Sequence, residues 1–170
     1  SESNLDIDLA RKNLLLESLN KQNIEPSTLI NKLPLLRNTP MLIIGDSIVD
    51  EYAACEALGM SAEAPVLVVK ELETKTYAGG AAVVASHVNQ LGGKCFFVSV
   101  TGNDNNSEFI EEKLKEKSIE TYLIKDPSRP TTFKKRYMVE NQKLFRVSKL
   151  EEQIINKDLE NELIEKIKKL

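Results

Sequence analysis

The chain has 170 residues and a formal net charge of −3 at pH 7, with 41% hydrophobic and 29% charged residues. That length suits one domain with a hydrophobic core, and the composition is ordinary for a globular protein. Lysines and glutamates are interspersed, which leaves no basic face for nucleic acid, and the apolar runs are too short to span a membrane. The first residues are polar and acidic, unlike a signal peptide, so we expect a cytoplasmic protein.

Residues 1–40 differ from the rest of the chain because they lack glycine and carry leucines at helical spacing. We predict a helical lead-in and linker over 1–40, followed by one domain over 41–170. Pro26 is placed to begin a second short helix, which Pro34 would end. The leucines predicted to line the first helix are Leu5, Leu9, Leu15, Leu16 and Leu19. The chain does not start with methionine, from which we expect a piece of a longer protein.

From Met41 onward, apolar strands alternate with amphipathic helices, which predicts an α/β fold with a doubly wound, largely parallel sheet. The extended segments at 66–76 and 132–148 do not fit that alternation. We predict strands at 41–44, 66–76, 95–100, 119–125 and two within 132–149, the last two joined by a turn near Glu140, Asn141 and Gln142. We predict helices over 81–91, 107–117 and 156–170, with Asn156 as the cap of the last one.

Two aspartates and two glycines form the strongest functional signal. Asp46 and Asp50 follow the first predicted strand, which would deliver them to the carboxyl end of the sheet. Gly79 and Gly80 open a helix of small residues, where a backbone without Cβ atoms lets a polar ligand approach closely.

These residues belong to a series of motifs in a characteristic order. GDSIVDEY at 45–52, EAPV at 63–66, GGAA at 79–82 and TGND at 101–104 resemble the ribokinase (PfkB) family of carbohydrate kinases. PTTFKKR at 130–136 and NQKLFR at 141–146 resemble the heptose 7-phosphate kinase branch most closely. The resemblance covers roughly residues 40–150. It implies a ribokinase-like fold with a small β lid, truncated before its second half, and a homodimer formed through the lid.

The resemblance also implies roles for individual residues. Asp50 matches the aspartate that binds sugar hydroxyls, although a helix-capping or turn aspartate is the alternative. Asp46 either joins it or anchors the loop, while Gly79 and Gly80 would bring backbone amides to the sugar. Val83 departs from the family pattern, which has asparagine there, because valine can neither donate nor accept a hydrogen bond. Either the substrate differs or the kinase activity is impaired.

Three cations, Lys134, Arg136 and Arg146, lie in the last two predicted strands, and alternation places Lys134 and Arg136 on one face. Converging cations suit a substrate that already carries phosphate, whereas a solvated strand face is the alternative. The loop at 101–104 either shapes the sugar site or leads into a helix capped by Ser107.

The cysteines and the histidine give no functional signal. Cys55 and Cys95 are isolated in sequence, and small buried side chains explain them better than a metal site does. His87 is the only histidine of the chain, and a packed or surface role is expected for it.

The resulting hypothesis is the amino-terminal, sugar-binding part of an ATP-dependent kinase that acts on a sugar or sugar phosphate similar to heptose 7-phosphate. The resemblance implies ATP and Mg2+ for the intact protein, with the catalytic base in the missing carboxyl half. It also implies a fused nucleotidyltransferase in the full-length protein. We expect this chain to bind neither cofactor tightly. A non-catalytic binding or dimerisation module is the alternative. An unrelated Rossmann-like domain is disfavoured because neither dinucleotide-binding nor P-loop glycine motifs are present.

Overall fold

The computed structural model describes residues 2–140 and 142–170, with side chains from residue 8 onward. The helices are α1 (Glu2–Lys21), α2 (Pro26–Lys32), α3 (Ala81–Gln90), α4 (Asn105–Lys115) and α5 (Lys157–Lys168). The strands are β1 (Pro40–Ile44), β2 (Ser47–Met60), β3 (Leu67–Gly80), β4 (Lys94–Thr101), β5 (Glu120–Lys125), β6 (Thr132–Val139) and β7 (Gln142–Lys149).

The main sheet consists of three parallel strands in the order β1, β4, β5. Helices α3 and α4 supply apolar side chains to the core beside it, and small residues of α3 allow close packing. The core is formed by Val49, Ala82, Ala85, Cys95, Phe97, Ile110, Leu114 and Ile119. This arrangement confirms the predicted α/β fold with parallel strands. Both cysteines are buried, and burial raises the pKa of the Cys95 thiol.

A second sheet, which we call the lid, has four strands in the order β3, β2, β6, β7. Strand β2 pairs antiparallel with β3 and parallel with β6, and β7 pairs antiparallel with β6. The extended segments that did not fit the alternation are therefore lid strands. Strand β2 was not predicted, because its glutamates, alanines and glycine have low strand propensity and it is stabilised by partners on both sides.

The amino-terminal segment forms α1, α2 and a short 3-10 turn at Leu33–Leu36. Leu19 is buried, whereas Leu9, Leu15 and Leu16 are exposed, so only part of the predicted leucine face is covered. The side chain of Leu5 lies outside the described residues. None of the helices that the structure describes combines the length and apolar character that crossing a membrane requires.

Two helix caps follow from short polar side chains. Asn156 caps α5 as predicted, because its Oδ1 accepts a hydrogen bond from the amide of Leu159 at 2.9 Å. Helix α4 is capped by Asp104 and not by Ser107, whose amide donates to Asp104 Oδ1 at 3.0 Å. In the turn between β6 and β7, Glu140 has a positive φ of 53°, and Asn141 lies outside the described residues.

Candidate functional site

The centre of the candidate site is an ion pair between two lid strands. Asp50 lies on β2, and its Oδ1 accepts a hydrogen bond from Nη1 of Arg136 on β6. The two side chains are only 20% and 18% exposed, and the Arg136 guanidinium lies 5.1 Å from the ring centroid of Tyr52. Hydrogen bonding to Asp50 raises the pKa of Arg136, so this cation stays charged. Asp50 is therefore a strand residue that is held in place, not a helix cap or a turn aspartate.

The first glycine of the pair makes room for that carboxylate. A Cβ atom on Gly79 would collide with Oδ2 of Asp50 and lie 3.3 Å from the carbonyl oxygen of Ile48. Because Oδ1 is taken by Arg136, Oδ2 keeps the accepting capacity that a ligand hydroxyl could use.

The second glycine shapes the chain where β3 ends and α3 begins. Gly80 has a φ of 61°, and a Cβ there would collide with the carbonyl oxygen of Asp46. The same carbonyl accepts a hydrogen bond from the amide of Ala81 at 2.9 Å, which ties the loop after β1 to the start of α3. Glycine is needed here for both its backbone conformation and its size.

Asp50 and Gly79 border a cavity of about 450 Å³ between the lid and α3, which we call the Asp50 cavity. The lid contributes one polar end, and the face of α3 that follows Gly79 forms the floor. Its lining residues are Asp50, Tyr52, Tyr77, Ala78, Gly79, Val83, Ser86, His87, Gln90 and Lys117. Val83 is 39% exposed, so an apolar side chain occupies the floor close to the carboxylate.

Asp46 and Lys134 line a different cavity, of about 520 Å³, at the carboxyl ends of β1 and β4. Register places Lys134 opposite Asp50 and Arg136 opposite Tyr52 on β2, so both cations occupy alternate positions on one strand. They nevertheless have different surroundings, since Arg136 pairs with Asp50 of the Asp50 cavity and Lys134 lines the second cavity.

The second cavity, which we call the Lys134 cavity, is lined by a serine whose buried hydroxyl makes no hydrogen bond to the described residues. Ser47 is 3% exposed, and its Oγ has no hydrogen-bond partner among the described residues. Arg129 also lines this cavity, and the buried carboxylate of Asp126 accepts a hydrogen bond from its Nε at 2.6 Å. Asp46, Glu151 and Glu152 add negative charge, so the Lys134 cavity is not cationic overall.

The loop after β4 is fastened to the start of the lid. Asp104 Oδ2 accepts a hydrogen bond from the amide of Thr131 at 2.9 Å, and Thr131 Oγ1 accepts one from the amide of Gly102 at 3.0 Å. Burial alone would raise the pKa of Asp104, but its hydrogen bonds from Thr131 and Ser107 outweigh burial and lower it. Asp104 therefore holds α4 and the lid connection in one arrangement.

The residues predicted from sequence thus fall into four places. Asp50 and Gly79 line the Asp50 cavity, with Arg136 paired to Asp50, while Asp46 and Lys134 line the Lys134 cavity and Gly80 lies where β3 meets α3. Arg146 lies opposite Arg136 on the outermost lid strand and is exposed.

The lower end of the Asp50 cavity, which is formed by Ser86, His87, Gln90 and Lys117, was not predicted from the sequence. Ser86, His87 and Gln90 follow Val83 at intervals of three, four and seven residues, which is the spacing of one helix face and could have been noticed. Lys117 carries no such local signal, because only the packing of α4 beside α3 brings it to the cavity.

Comparison with known proteins assigns the family. Residues 38–168 match the model of the pfkB family of carbohydrate kinases. The chain belongs to this family. A protein named bifunctional protein HldE from Campylobacter jejuni strain RM1221 is 43% identical over 132 residues, covering 75% of the chain and 27% of the relative. A protein of the same name from Nitratiruptor is 36% identical over 115 residues, covering 68% and 25%. The chain thus spans about a quarter of the length of the curated relatives it matches.

Solved structures share the fold at low sequence identity. A carbohydrate kinase from Agrobacterium tumefaciens superposes with a TM-score of 0.51 at 16% identity, covering 71% of the chain and 36% of that structure. Arabidopsis thaliana ribokinase, solved with ribose and ATP, gives a TM-score of 0.52 at 19% identity, covering 65% and 36%. The ribokinase-like fold is therefore confirmed, over part of its length.

Proposed function

We propose that this chain is the sugar-binding part of an ATP-dependent kinase that phosphorylates a sugar phosphate similar to heptose 7-phosphate. The observation that carries the proposal is the Asp50 carboxylate, held by Arg136 with its second oxygen against Gly79, in a pfkB-family domain. The HldE relatives are named as bifunctional proteins, which supports a second activity in the intact protein; we propose that this is the fused nucleotidyltransferase implied by the resemblance.

The chain's own residues can bind and orient a substrate. Asp50 would accept hydrogen bonds from sugar hydroxyls, and the backbone at Gly79 would lie close enough to border the ring. Arg136 fixes the carboxylate in place, so its acceptor oxygens are already oriented when the substrate arrives. These interactions position the hydroxyl, while proton transfer from it needs a base that we expect elsewhere in the intact protein.

ATP and Mg2+ enter the proposal as cofactors of the intact protein. The family and the ribokinase solved with ATP support ATP as the phosphoryl donor. Among the described residues, no three His, Cys, Asp or Glu side chains come together to hold a metal ion. We expect neither ATP nor Mg2+ to bind tightly to this chain alone.

The proposal is tested by ADP formation from ATP with the intact protein and a panel of sugars and sugar phosphates. We expect turnover with a sugar phosphate, and at least a roughly 100-fold lower kcat/KM for Asp50→Ala because the lost contacts orient the acceptor. Glu56→Ala, an exposed carboxylate on the same strand, is the matched control. Absence of turnover in the unmodified protein, or full activity of Asp50→Ala, would contradict the proposal.

A non-catalytic binding or dimerisation module is a second candidate, favoured by Val83 on the floor of the Asp50 cavity. The variant Val83→Asn separates the possibilities in the intact protein. A large gain in turnover indicates an impaired kinase, whereas normal activity without a gain indicates an altered substrate. Absence of activity in both forms, with ligand binding retained, indicates the binding module.

The lid also supports a homodimer as part of the proposal. Its outer strands β3 and β7 each pair with a described strand on one side only, and Leu67 and Val147 on them are 48% and 50% exposed. Unpaired strand edges with apolar side chains favour association between copies. Light scattering of the purified chain tests the dimer.

We also propose that the protein is located in the cytoplasm.

A further inference from the structure

The lower end of the Asp50 cavity differs chemically from the end that carries Asp50. Here α3 presents Ser86, His87 and Gln90, and Lys117 reaches over from the segment after α4. Lys117 Nζ donates a hydrogen bond to Ser86 Oγ at 3.0 Å, and Ser86 is only 7% exposed. The ammonium group is thus anchored to the floor of the cavity by a buried hydroxyl.

The anchored ammonium still has capacity for a ligand. A lysine ammonium has three donors, of which Ser86 takes one. No described carboxylate forms an ion pair with Lys117, in contrast to Lys113 on α4, whose Nζ lies 2.7 Å from Glu116 Oε1. At the other end of the cavity, the charge of Asp50 is balanced by its ion pair with Arg136, whereas Lys117 has no such partner among the described residues.

The two ends of the cavity lie well apart along the axis of α3. Val83 and Gln90 are two helical turns apart, which is about 10 Å along the axis of α3. Val83 offers no hydrogen bond beneath the Asp50 end, so the polar contacts of the floor are concentrated lower down, at Ser86, His87 and Gln90. A ligand with hydroxyls at one end and an anion at the other matches this distribution.

We propose that Lys117, positioned by Ser86 and flanked by His87 and Gln90, binds the anionic group of the substrate whose hydroxyls Asp50 accepts. The inference rests on the proposed function and names the substrate class, a sugar with a terminal phosphate or carboxylate. Lys117 donates charge-assisted hydrogen bonds to that group, and His87 and Gln90 supply further polar contacts beside it.

Calorimetric titration of the intact protein with a free heptose, its 7-phosphate and the corresponding terminal carboxylate tests this inference. We expect Lys117→Ala to bind the anionic ligand at least about ten-fold more weakly while its affinity for the free heptose stays unchanged. Lys117→Arg should restore most of the affinity, and Ser86→Ala should weaken it less than Lys117→Ala does. Lys115→Ala, an exposed lysine of α4 that does not line the cavity, is the matched control.

The possible outcomes distinguish failure of the Lys117 inference from failure of the proposed function. Equal affinity of Lys117→Ala and the unmodified protein for both anionic ligands overturns the inference but leaves the sugar site intact. Equal weakening for the free heptose and the anionic ligands also overturns it, because Lys117 would then act only on the fold of the cavity. Failure of the unmodified protein to bind any of the three overturns the proposed function and this inference with it. A preference for phosphate over carboxylate identifies which anion the site takes.

Discussion

The absence of a Cβ atom at Gly79 makes room for the carboxylate of Asp50 in the candidate site. Its neighbour Asp50 Oδ2 occupies the space that any larger residue would need, and Arg136 holds that carboxylate from the other side. The glycine pair could be recognised from sequence, but the reason for it could not. Ligand approach was the expected cause at both positions, whereas Gly79 accommodates Asp50 and Gly80 combines a positive φ with the nearby carbonyl of Asp46.

The variant Gly79→Ala should therefore act through Asp50. We expect it to lower the free energy of unfolding by about 1 to 3 kcal/mol, because an added methyl group in a packed site forces its neighbours to move. The double variant Gly79→Ala/Asp50→Ala should lose less stability than the two single losses added together, since the clashing carboxylate is gone. Urea denaturation of the four proteins measures this, and strictly additive losses would show that Asp50 is not the obstacle.

At the scale of elements, most helices and strands of the domain could be predicted from periodicity, and β2 could not. Its sequence has acidic residues and alanines where a strand normally carries branched side chains, so only pairing with β3 and β6 makes it a strand. The predicted cap of α4, Ser107, was wrong for a related reason. Asp104 and Ser107 are both good capping residues, and the choice depends on Thr131, which is distant in sequence.

Asp104 also gives the connection between α4 and the lid a pH dependence. Its pKa is lowered in the folded protein, so it contributes stability above its unfolded pKa of about 3.9 and loses that contribution as the pH falls through the lower folded value. We expect Asp104→Asn to be less stable than the unmodified protein at pH 6, with a smaller difference below about pH 3. Thermal unfolding across this range measures the difference, and Asp158→Asn on the exposed face of α5 serves as control. A difference that is constant with pH would contradict the role of the charge.

At the scale of the whole molecule, a three-stranded sheet is combined with a four-stranded lid, and residues of the lid line two separate cavities. The sequence predicted the main sheet and identified Asp50, Gly79 and Arg136 as site residues. It could not separate them from Asp46 and Lys134, because alternation along β6 does not reveal which space each side chain borders. Lys117 could not be predicted for a different reason, since only the packing of α4 beside α3 brings it to the cavity.

The most direct test of the sugar site is calorimetric titration of this chain with a heptose 7-phosphate, comparing the unmodified form with Asp50→Asn. We expect saturable binding that Asp50→Asn weakens at least about ten-fold, because the amide keeps the shape of the carboxylate but loses its charge and one acceptor. Glu56→Gln should bind as the unmodified chain does. Equal affinity of Asp50→Asn and the unmodified chain, or no binding to the unmodified chain, would contradict the claim that Asp50 forms the sugar site.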